Sequence, residues 1–532
     1  MKDWYKEAVV YQIYPKSFCD TNGDGIGDIP GIISKLDYLK ELGINTIWLS
    51  PCYVSPGDDN GYDIADYRTI DPVYGSMDDF KNMLVEMKKR NIRLLMDLVV
   101  NHTSDEHEWF CESRKSKDNP YRDYYIWRDP VNGCEPNNWQ SNFGGSAWEY
   151  DEVTGQYYLH LFSKKQPDLN WENPKVRQEI IDMMKYWLEM GVDGFRCDVI
   201  NLISKDIEKG ISGDGPRLHE YIHLLNREAL APHEAMTVGE VWGLSPEESL
   251  MLTHPEREEL SMVFQFEHMS VGRTGGRFYL GEFDPEKYVS VLAKWQDGLN
   301  GKGWNAICVE NHDQSRCLNR IGNTEDYRYE SATMIATLVY AMQGTPYIFQ
   351  GQELGLINPV FHSLDECRDI EALNAYPVLL KEFDEKTVLE LFSKDSRDCA
   401  RAPIPWDDSE NGGFTSGTPW LKIHDRYKEV NAKADLASER SVYNYYKKLI
   451  KLHLENSTML YGDFELLYNK DALSVYRRYG EEGSFKVICN FSEKKTALGF
   501  EVIPDSVVLS NYETKEKISE LEPYQALIIK EN

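Results

Sequence analysis

Eight short apolar runs rich in β-branched and aromatic residues, most of them separated by stretches of helical spacing, constrain this sequence more than any other feature in it. They occupy residues 9–14, 44–50, 92–100, 192–199, 236–241, 262–266, 306–310 and 346–349. Strands that are apolar throughout, rather than alternating apolar and polar, belong to a parallel sheet buried on both faces. The intervening segments read as the covering helices. Residues 30–42 place Ile33, Leu36 and Leu39 on one face, residues 76–91 open on Ser76-x-x-Asp79, a capping-box start, and residues 174–190 begin with Pro174 after Asn173. Eight strand–helix units predict a closed (β/α)8 barrel. The open doubly wound alternative has no Gly-x-Gly-x-x-Gly loop after any strand.

Three segments interrupt the alternation. Residues 103–173 are too long for a strand–helix loop and read as an inserted subdomain rich in Trp, Tyr, Asn and Gly. A second excursion, about 358–431, follows the eighth strand. After a helix near 442–455, short alternating strands make residues 458–532 a C-terminal antiparallel β-sandwich domain. The barrel itself is then residues 1–102 and 174–457. A chain of 532 residues needs such a division, because single cores stop growing at about 250–300 residues.

The charge balance narrows the partners. With 88 acidic against 58 basic residues the net charge is -30, which speaks against nucleic acid and favours a small neutral substrate. No run of about 20 apolar residues offers a membrane span, and the N-terminus lacks a signal-peptide pattern. The ten cysteines are scattered, without metal-like spacing, so a reducing cytoplasm is the expected location. The 13 Trp and 33 Tyr fit a large core, and equally rings that stack on sugars.

Chemistry in a parallel barrel sits at the C-terminal ends of its strands. Here those ends read Asp97-Leu98-Val99-Val100-Asn101-His102, Gly194-Phe195-Arg196-Cys197-Asp198, Val238-Gly239-Glu240 and, after the seventh strand, Asn311-His312-Asp313. A lone acid at a strand end is usually a cap or a structural ion pair. Four acids on one rim, accompanied by Arg, His and Asn, exceed what capping requires.

These four motifs, together with Gln166-Pro167-Asp168-Leu169-Asn170, resemble the α-amylase family of glycoside hydrolases, in particular its oligo-1,6-glucosidase type, and the resemblance runs through the whole chain. It implies a retaining mechanism with Asp198 as nucleophile, Glu240 as acid/base and Asp313 as transition-state stabiliser. Physical requirements agree: retention needs two carboxyls about 5–5.5 Å apart, and neighbouring strands lie about 4.8 Å apart. Arg196, two residues before Asp198, faces the same way and is expected to keep it ionised. His102 and His312 are expected to bond sugar hydroxyls. The resemblance further implies that Tyr62 stacks on the terminal glucose, that Asp63 and Arg401 close the pocket behind it, and that Phe162 packs alongside. Such a pocket admits only a chain end. Cys399 and Pro405 depart from the family pattern, which has Asn and Gln there.

Two neighbours of the acids bear on linkage. By resemblance, Val199 directly after the nucleophile goes with α-1,6 bonds, and Trp242 corresponds to the acceptor-side tryptophan of dextran glucosidases. Sucrose isomerases, trehalose-6-phosphate hydrolases and α-glucosidases of broader α-1,4 or sucrose specificity are the alternative enzymes. A non-catalytic carbohydrate-binding or transporter-accessory relative is the alternative of another class, but it would lack the acids and carry a membrane helix. A monomer or weak homo-oligomer is expected.

Residues 20–28 place oxygen-bearing side chains at alternate positions around Gly25, like the first part of an EF-hand loop, but position 12 is Gly31 instead of Glu. The family resemblance implies a structural Ca2+ (Mg2+ as the alternative) held by Asp20, Asn22, Asp24, Ile26 and Asp28.

Overall fold

The computed structural model describes residues 3–531. All eight expected strands form, as β1 (Val10–Ile13), β2 (Thr46–Leu49), β3 (Arg93–Leu98), β4 (Gly194–Cys197), β5 (Met236–Glu240), β6 (Met262–Phe264), β7 (Ala306–Ile307) and β8 (Thr345–Phe349). Their order is β6-β5-β4-β3-β2-β1-β8-β7, every hydrogen-bonded pair is parallel, and β6 returns against β7 to close a (β/α)8 barrel. All but β8 are shorter than expected at their C-terminal ends. β7 stops at Ile307 because Glu310 turns its carboxylate onto Arg316 Nη1 (3.0 Å) and the Cys317 amide (2.6 Å).

Alternation along the strands separates two cores. Val10, Trp48, Leu95, Met236, Val238, Met262, Phe264, Ala306 and Tyr347 fill the barrel interior. Their strand neighbours Ile47, Leu94, Met96, Phe195 and Ile348 pack outward under the helices. Interior parity therefore also carries Asp97, Arg196, Asp198 and Glu240 inward, at the end where the apolar filling stops.

The helices obey their end signals. Met77–Lys89 has the full Ser76/Asp79 capping box. Pro174–Met190 is capped by Asn173 and ends on Gly191 at φ 113°, a left-handed position that favours glycine. The expected helix at 30–42 is two, Ile29–Ser34 and Leu36–Leu42, broken at Lys35.

Within the inserted segment Trp127–Arg128, Trp148–Asp151 and Gln156–Leu159 form a three-stranded sheet. The excursion after β8 folds into helices Ile370–Leu379, Glu385–Asp395 and Arg397–Arg401 around a small core of Phe361, Val388, Phe392 and Cys399. At the C-terminus Asp463–Lys470, Leu473–Gly480, Gly483–Asn490, Val507–Ser510 and Ala526–Lys530 make a five-stranded antiparallel sheet. One face packs Val475, Ile488 and Leu527 against a two-stranded ribbon, and the other meets barrel helix Arg328–Tyr340. No helix among the described residues is long and apolar enough to cross a membrane. All ten cysteines are free thiols.

Candidate active site

Register determines which rim acids meet. Asp97, Arg196 and Val238 stand in one row across β3, β4 and β5, and Cys197 pairs with Gly239, so the next inward row joins Asp198 to Glu240. Arg196 sits at the centre, 1% exposed. Its Nη1 donates to Asp97 Oδ1 (2.7 Å) and Asp198 Oδ1 (2.6 Å), while Nη2 donates to Glu240 Oε2. Trp242 Nε1 donates to the other Glu240 oxygen at 2.9 Å. Trp48 and Tyr62 donate to Asp97 Oδ2, each at 3.0 Å.

One guanidinium thus serves three carboxyls. Burial pushes the Asp198 carboxyl well above the usual range, Glu240, Asp97 and Asp313 push the same way, and Arg196 pulls it back. Arg196 therefore favours the ionised form, in the expected direction, and burial opposes it. Asp313 behaves oppositely. Burial raises it, but His312, Arg401, Arg397 and Arg196 together bring it below the ordinary range.

Both histidines are neutral, since burial lowers His102 to about 4 and His312 to about 3. His312 lies flat on Tyr62, with ring centroids 5.1 Å apart and an interplanar angle of 2°. Gln12 Nε2 donates to His312 Nδ1 (2.8 Å), which places the proton on Nε2. That Nε2 is 3.1 Å from Asp313 Oδ2 without hydrogen-bond alignment, leaving it an unsatisfied donor. Within β4's turn Val199 adopts φ 34°, ψ 45°. A left-handed backbone at a β-branched residue costs on the order of 1–3 kcal/mol. The bend starts the turn Ile200–Ile203 and leaves Asp198 and Val199 on the cavity wall.

The cavity over these groups measures about 370 Å3. Asp198, Glu240, Asp313, Tyr62, His102, Phe162, Val199 and Trp242 line it. Arg196 and His312 lie directly behind, in contact with the lining acids.

Two expected pocket residues are displaced. Asp63 is fully buried and does not line the cavity. Its carboxylate accepts from Ser55 Oγ (2.9 Å) and the amides of Asp58 (2.8 Å) and Asp59 (3.1 Å), folding the loop that carries the true wall residue, Asp59. Arg401 is also fully buried. It donates to Asp313 Oδ1 (2.9 Å) and the His312 carbonyl (2.9 Å) from beneath. The pair that closes the pocket is Asp59 with Arg397, at 3.2 Å. Asp369 anchors Arg397 (2.7 Å), and Gln166 Nε2 donates to Asp59 Oδ2 (3.2 Å). Burial pushes Asp59 up to about 6 against the pull of Arg397 and Arg401. Sequence reasoning missed both residues because each has a twin. Asp59 stands in Asp58-Asp59-Asn60-Gly61-Tyr62-Asp63, and Arg397 and Arg401 lie one turn apart on the same short helix. Arg277 and Glu371, ion-paired at 2.8 Å on the lining, were also unforeseen. Cys399 points its sulfur to the Phe392 carbonyl (3.2 Å), and neither it nor Pro405 reaches the cavity.

The loop of residues 20–28 is wound by its own side chains. Asn22 N donates to Asp20 Oδ1 (2.9 Å), Asp24 N to Asn22 Oδ1 (2.8 Å) and Ile26 N to Asp24 Oδ1 (2.9 Å). Asp28 accepts from Thr21 N (2.9 Å) and Gly31 N (2.6 Å). Among the described residues no cluster of three or more His, Cys, Asp and Glu side chains is placed to hold a metal ion. A cation here would rest on the mixed oxygens of Asn22 and a backbone carbonyl as well as the acids.

The same architecture recurs in known proteins. An oligo-1,6-glucosidase of Parageobacillus thermoglucosidasius is 53% identical over 99% of both chains. A glucan 1,6-α-glucosidase of Streptococcus pneumoniae is 46% identical over 99% of both. A crystal structure of a Bacillus licheniformis trehalose-6-phosphate hydrolase superposes with a TM-score of 0.94 at 45% identity, covering 99% of both chains. Residues 12–462 match the family model described as the alpha amylase catalytic domain. A barrel with its rim acids on β4, β5 and after β7, matched over most of its length, makes this chain a member of the α-amylase family of glycoside hydrolases.

Proposed function

We propose that the protein is a retaining, exo-acting α-glucosidase that releases terminal α-1,6-linked glucose from isomaltose-type oligosaccharides. The observation that carries this reading is the bridging of Asp198 and Glu240 by one guanidinium inside a pocket closed by Asp59 and Arg397. A shared guanidinium on neighbouring strands holds the two carboxyls close together, as a covalent glycosyl intermediate requires. Asp198 attacks the anomeric carbon from one side. Glu240, oriented by Trp242, gives its proton to the glycosidic oxygen and then takes one from water. Asp313, kept ionised, faces the developing positive charge, and the free Nε2–H of His312 is available to a sugar hydroxyl. In this division of labour the barrel (1–102 and 174–457) supplies the chemistry, residues 103–173 form a pocket wall, and residues 458–532 brace the helices behind.

A neutral substrate fits the lining. It carries five carboxyls (Asp59, Asp198, Glu240, Asp313, Glu371) and two guanidiniums (Arg277, Arg397) that are already ion-paired, a poor seat for a phosphorylated disaccharide. Rates on isomaltose, panose, maltose, sucrose and trehalose 6-phosphate test the reading. Isomaltose is expected to lead, and preference for any of the last three overturns it. Two relatives named for 1,6-linkages support the linkage, as does Val199 on the wall. Val199→Thr is expected to raise the maltose-to-isomaltose ratio of kcat/KM about tenfold, equivalent to about 1.4 kcal/mol in the barrier. An unaltered ratio would remove Val199 from linkage selection.

The ten free thiols support action in a reducing cytoplasm, as a monomer or weak homo-oligomer. The wound loop supports a structural Ca2+, or Mg2+ in its place, with Asp20, Asn22, Asp24, the Ile26 carbonyl and Asp28 as ligands. A cation at 100 times its Kd stabilises by about 2.7 kcal/mol. Chelation should then lower Tm by several degrees and Ca2+ restore it. A Tm that chelator leaves in place refutes the metal.

A further inference from the structure

Helix Glu385–Asp395 ends on a fully buried acid, on the same covered face as Val388 and Phe392. A carboxylate at that place is unfavourable twice over. It meets the negative end of the helix dipole, and it has lost its hydration. An apolar side chain would fill the position more stably, so Asp395 is explained by what its oxygens hold.

Both oxygens reach the loop that follows Asp313. Oδ1 accepts from Ser315 Oγ (2.7 Å). Oδ2 pairs with Arg273 Nη2 (2.7 Å), which also donates to Gln314 Oε1 (3.1 Å). The same helix end is tied to Arg316. Asn358 Oδ1 accepts from the Arg316 amide (3.0 Å), while Asn358 Nδ2 donates to the Ser393 and Lys394 carbonyls (3.0 Å each). The three residues after Asp313 are thus fastened to one helix end. Arg277, on the same segment as Arg273, donates to the Asp313 carbonyl (2.7 Å). Beyond Ser396 the chain enters helix Arg397–Arg401, from which Arg401 donates to Asp313 Oδ1 (2.9 Å). Asp395 stands where the loop bearing Asp313 meets the helix bearing its cations.

We infer that Asp395 is a positioning residue for Asp313, locking the loop and the arginine helix into one unit through Ser315 and Arg273. The inference rests on the proposed glucosidase reading, in which Asp313 faces the developing positive charge, and it names what keeps that carboxylate in place. Asp395 itself is covered and does not line the cavity, so it touches no sugar. A misplacement of about 1 Å can lower a rate by up to about a hundredfold. Charge stabilisation is realised as charge develops, so a slackened loop is felt in kcat more than in KM.

Hydrolysis of isomaltose by the native chain tests the reading; Asp395→Asn tests the inference. The variant keeps volume and an oxygen for Ser315 but loses the charge that Arg273 requires. Its kcat on isomaltose is expected to fall about tenfold, with KM within about twofold of native. Inhibition constants give the readout that a merely structural role would not move. Deoxynojirimycin carries a ring ammonium where the transition state is positive, and its affinity should fall about tenfold, whereas neutral glucose should keep its affinity within about twofold. If Asp395→Asn does not fold, Ser315→Ala, which removes one buried hydroxyl and leaves the ion pair, carries the same measurements with an effect of about threefold. Native kcat in the folded variant overturns the inference, as does a loss of affinity shared equally by deoxynojirimycin and glucose.

Discussion

Replacing Asp198 by asparagine is expected to lower kcat on isomaltose by about four orders of magnitude or more, the scale on which loss of a catalytic nucleophile is felt. The substitution keeps volume and the oxygen that accepts from Arg196 Nη1. Arg196 also retains Asp97 and Glu240 as partners, so the buried cation is not stranded. Thermal unfolding should therefore stay within a few degrees of the native chain, and the rate loss is then chemical, not structural. What disappears is the covalent step, because an amide is too weak a nucleophile to take the glycosyl group. A variant within tenfold of native kcat would move the nucleophile elsewhere. The stereochemistry of the native reaction is the companion measurement. Nuclear magnetic resonance of the first product should show α-glucose, and initial β-glucose would contradict the bridged geometry.

The elements legible in sequence were those whose physics is local. Apolar strand runs, the Ser76/Asp79 capping box and Pro174 after Asn173 each stabilise their element through neighbours within a few residues, and each forms where expected. Rim acids were legible because a strand end is a position in sequence as well as in space. The pocket's far wall was not. Whether Asp59 or Asp63 faces the sugar depends on how the 55–63 loop folds over a carboxylate, and whether Arg397 or Arg401 does depends on how helix Arg397–Arg401 docks against β7 and β8. The loop is wound by contacts within eight residues, but Asp59 meets Gln166 and Arg397, and Arg401 meets His312, across more than 80 residues of chain, which leave no local pattern. In the C-terminal domain Thr496–Val502, Val507–Ser510 and Ile518–Leu521 carry little local signal for a related reason: they are edge or ribbon strands with mixed exposure and little apolar alternation.

The reassigned wall carries the second large effect. Asp59→Ala is expected to raise KM for isomaltose by about two orders of magnitude, because the change removes an acceptor for sugar hydroxyls and leaves Arg397 short of a partner in a buried site. Asp63→Asn acts differently. Its side chain touches only Ser55 and the amides of residues 58 and 59, so the effect comes through the loop, as a drop in Tm with a smaller rise in KM. The two substitutions therefore separate a residue that touches sugar from one that positions it. The acid limb of the pH profile gives an independent check. With Asp59 pushed up to about 6, the carboxylate is present above that pH and lost below it. If the ionised form grips the hydroxyls, KM should rise as pH falls through about 6, and in Asp59→Asn that rise should vanish while kcat keeps its own pH dependence. For folding the sign is reversed. A carboxyl raised from 3.8 to about 6 binds its proton more tightly in the folded chain, so its contribution to stability is full below 3.8 and is lost as pH climbs through about 6. Affinity for sugar and resistance to unfolding thus move in opposite directions over the same two pH units. A KM that stays flat from pH 7 to 5 in the native chain would return the pocket wall to another residue.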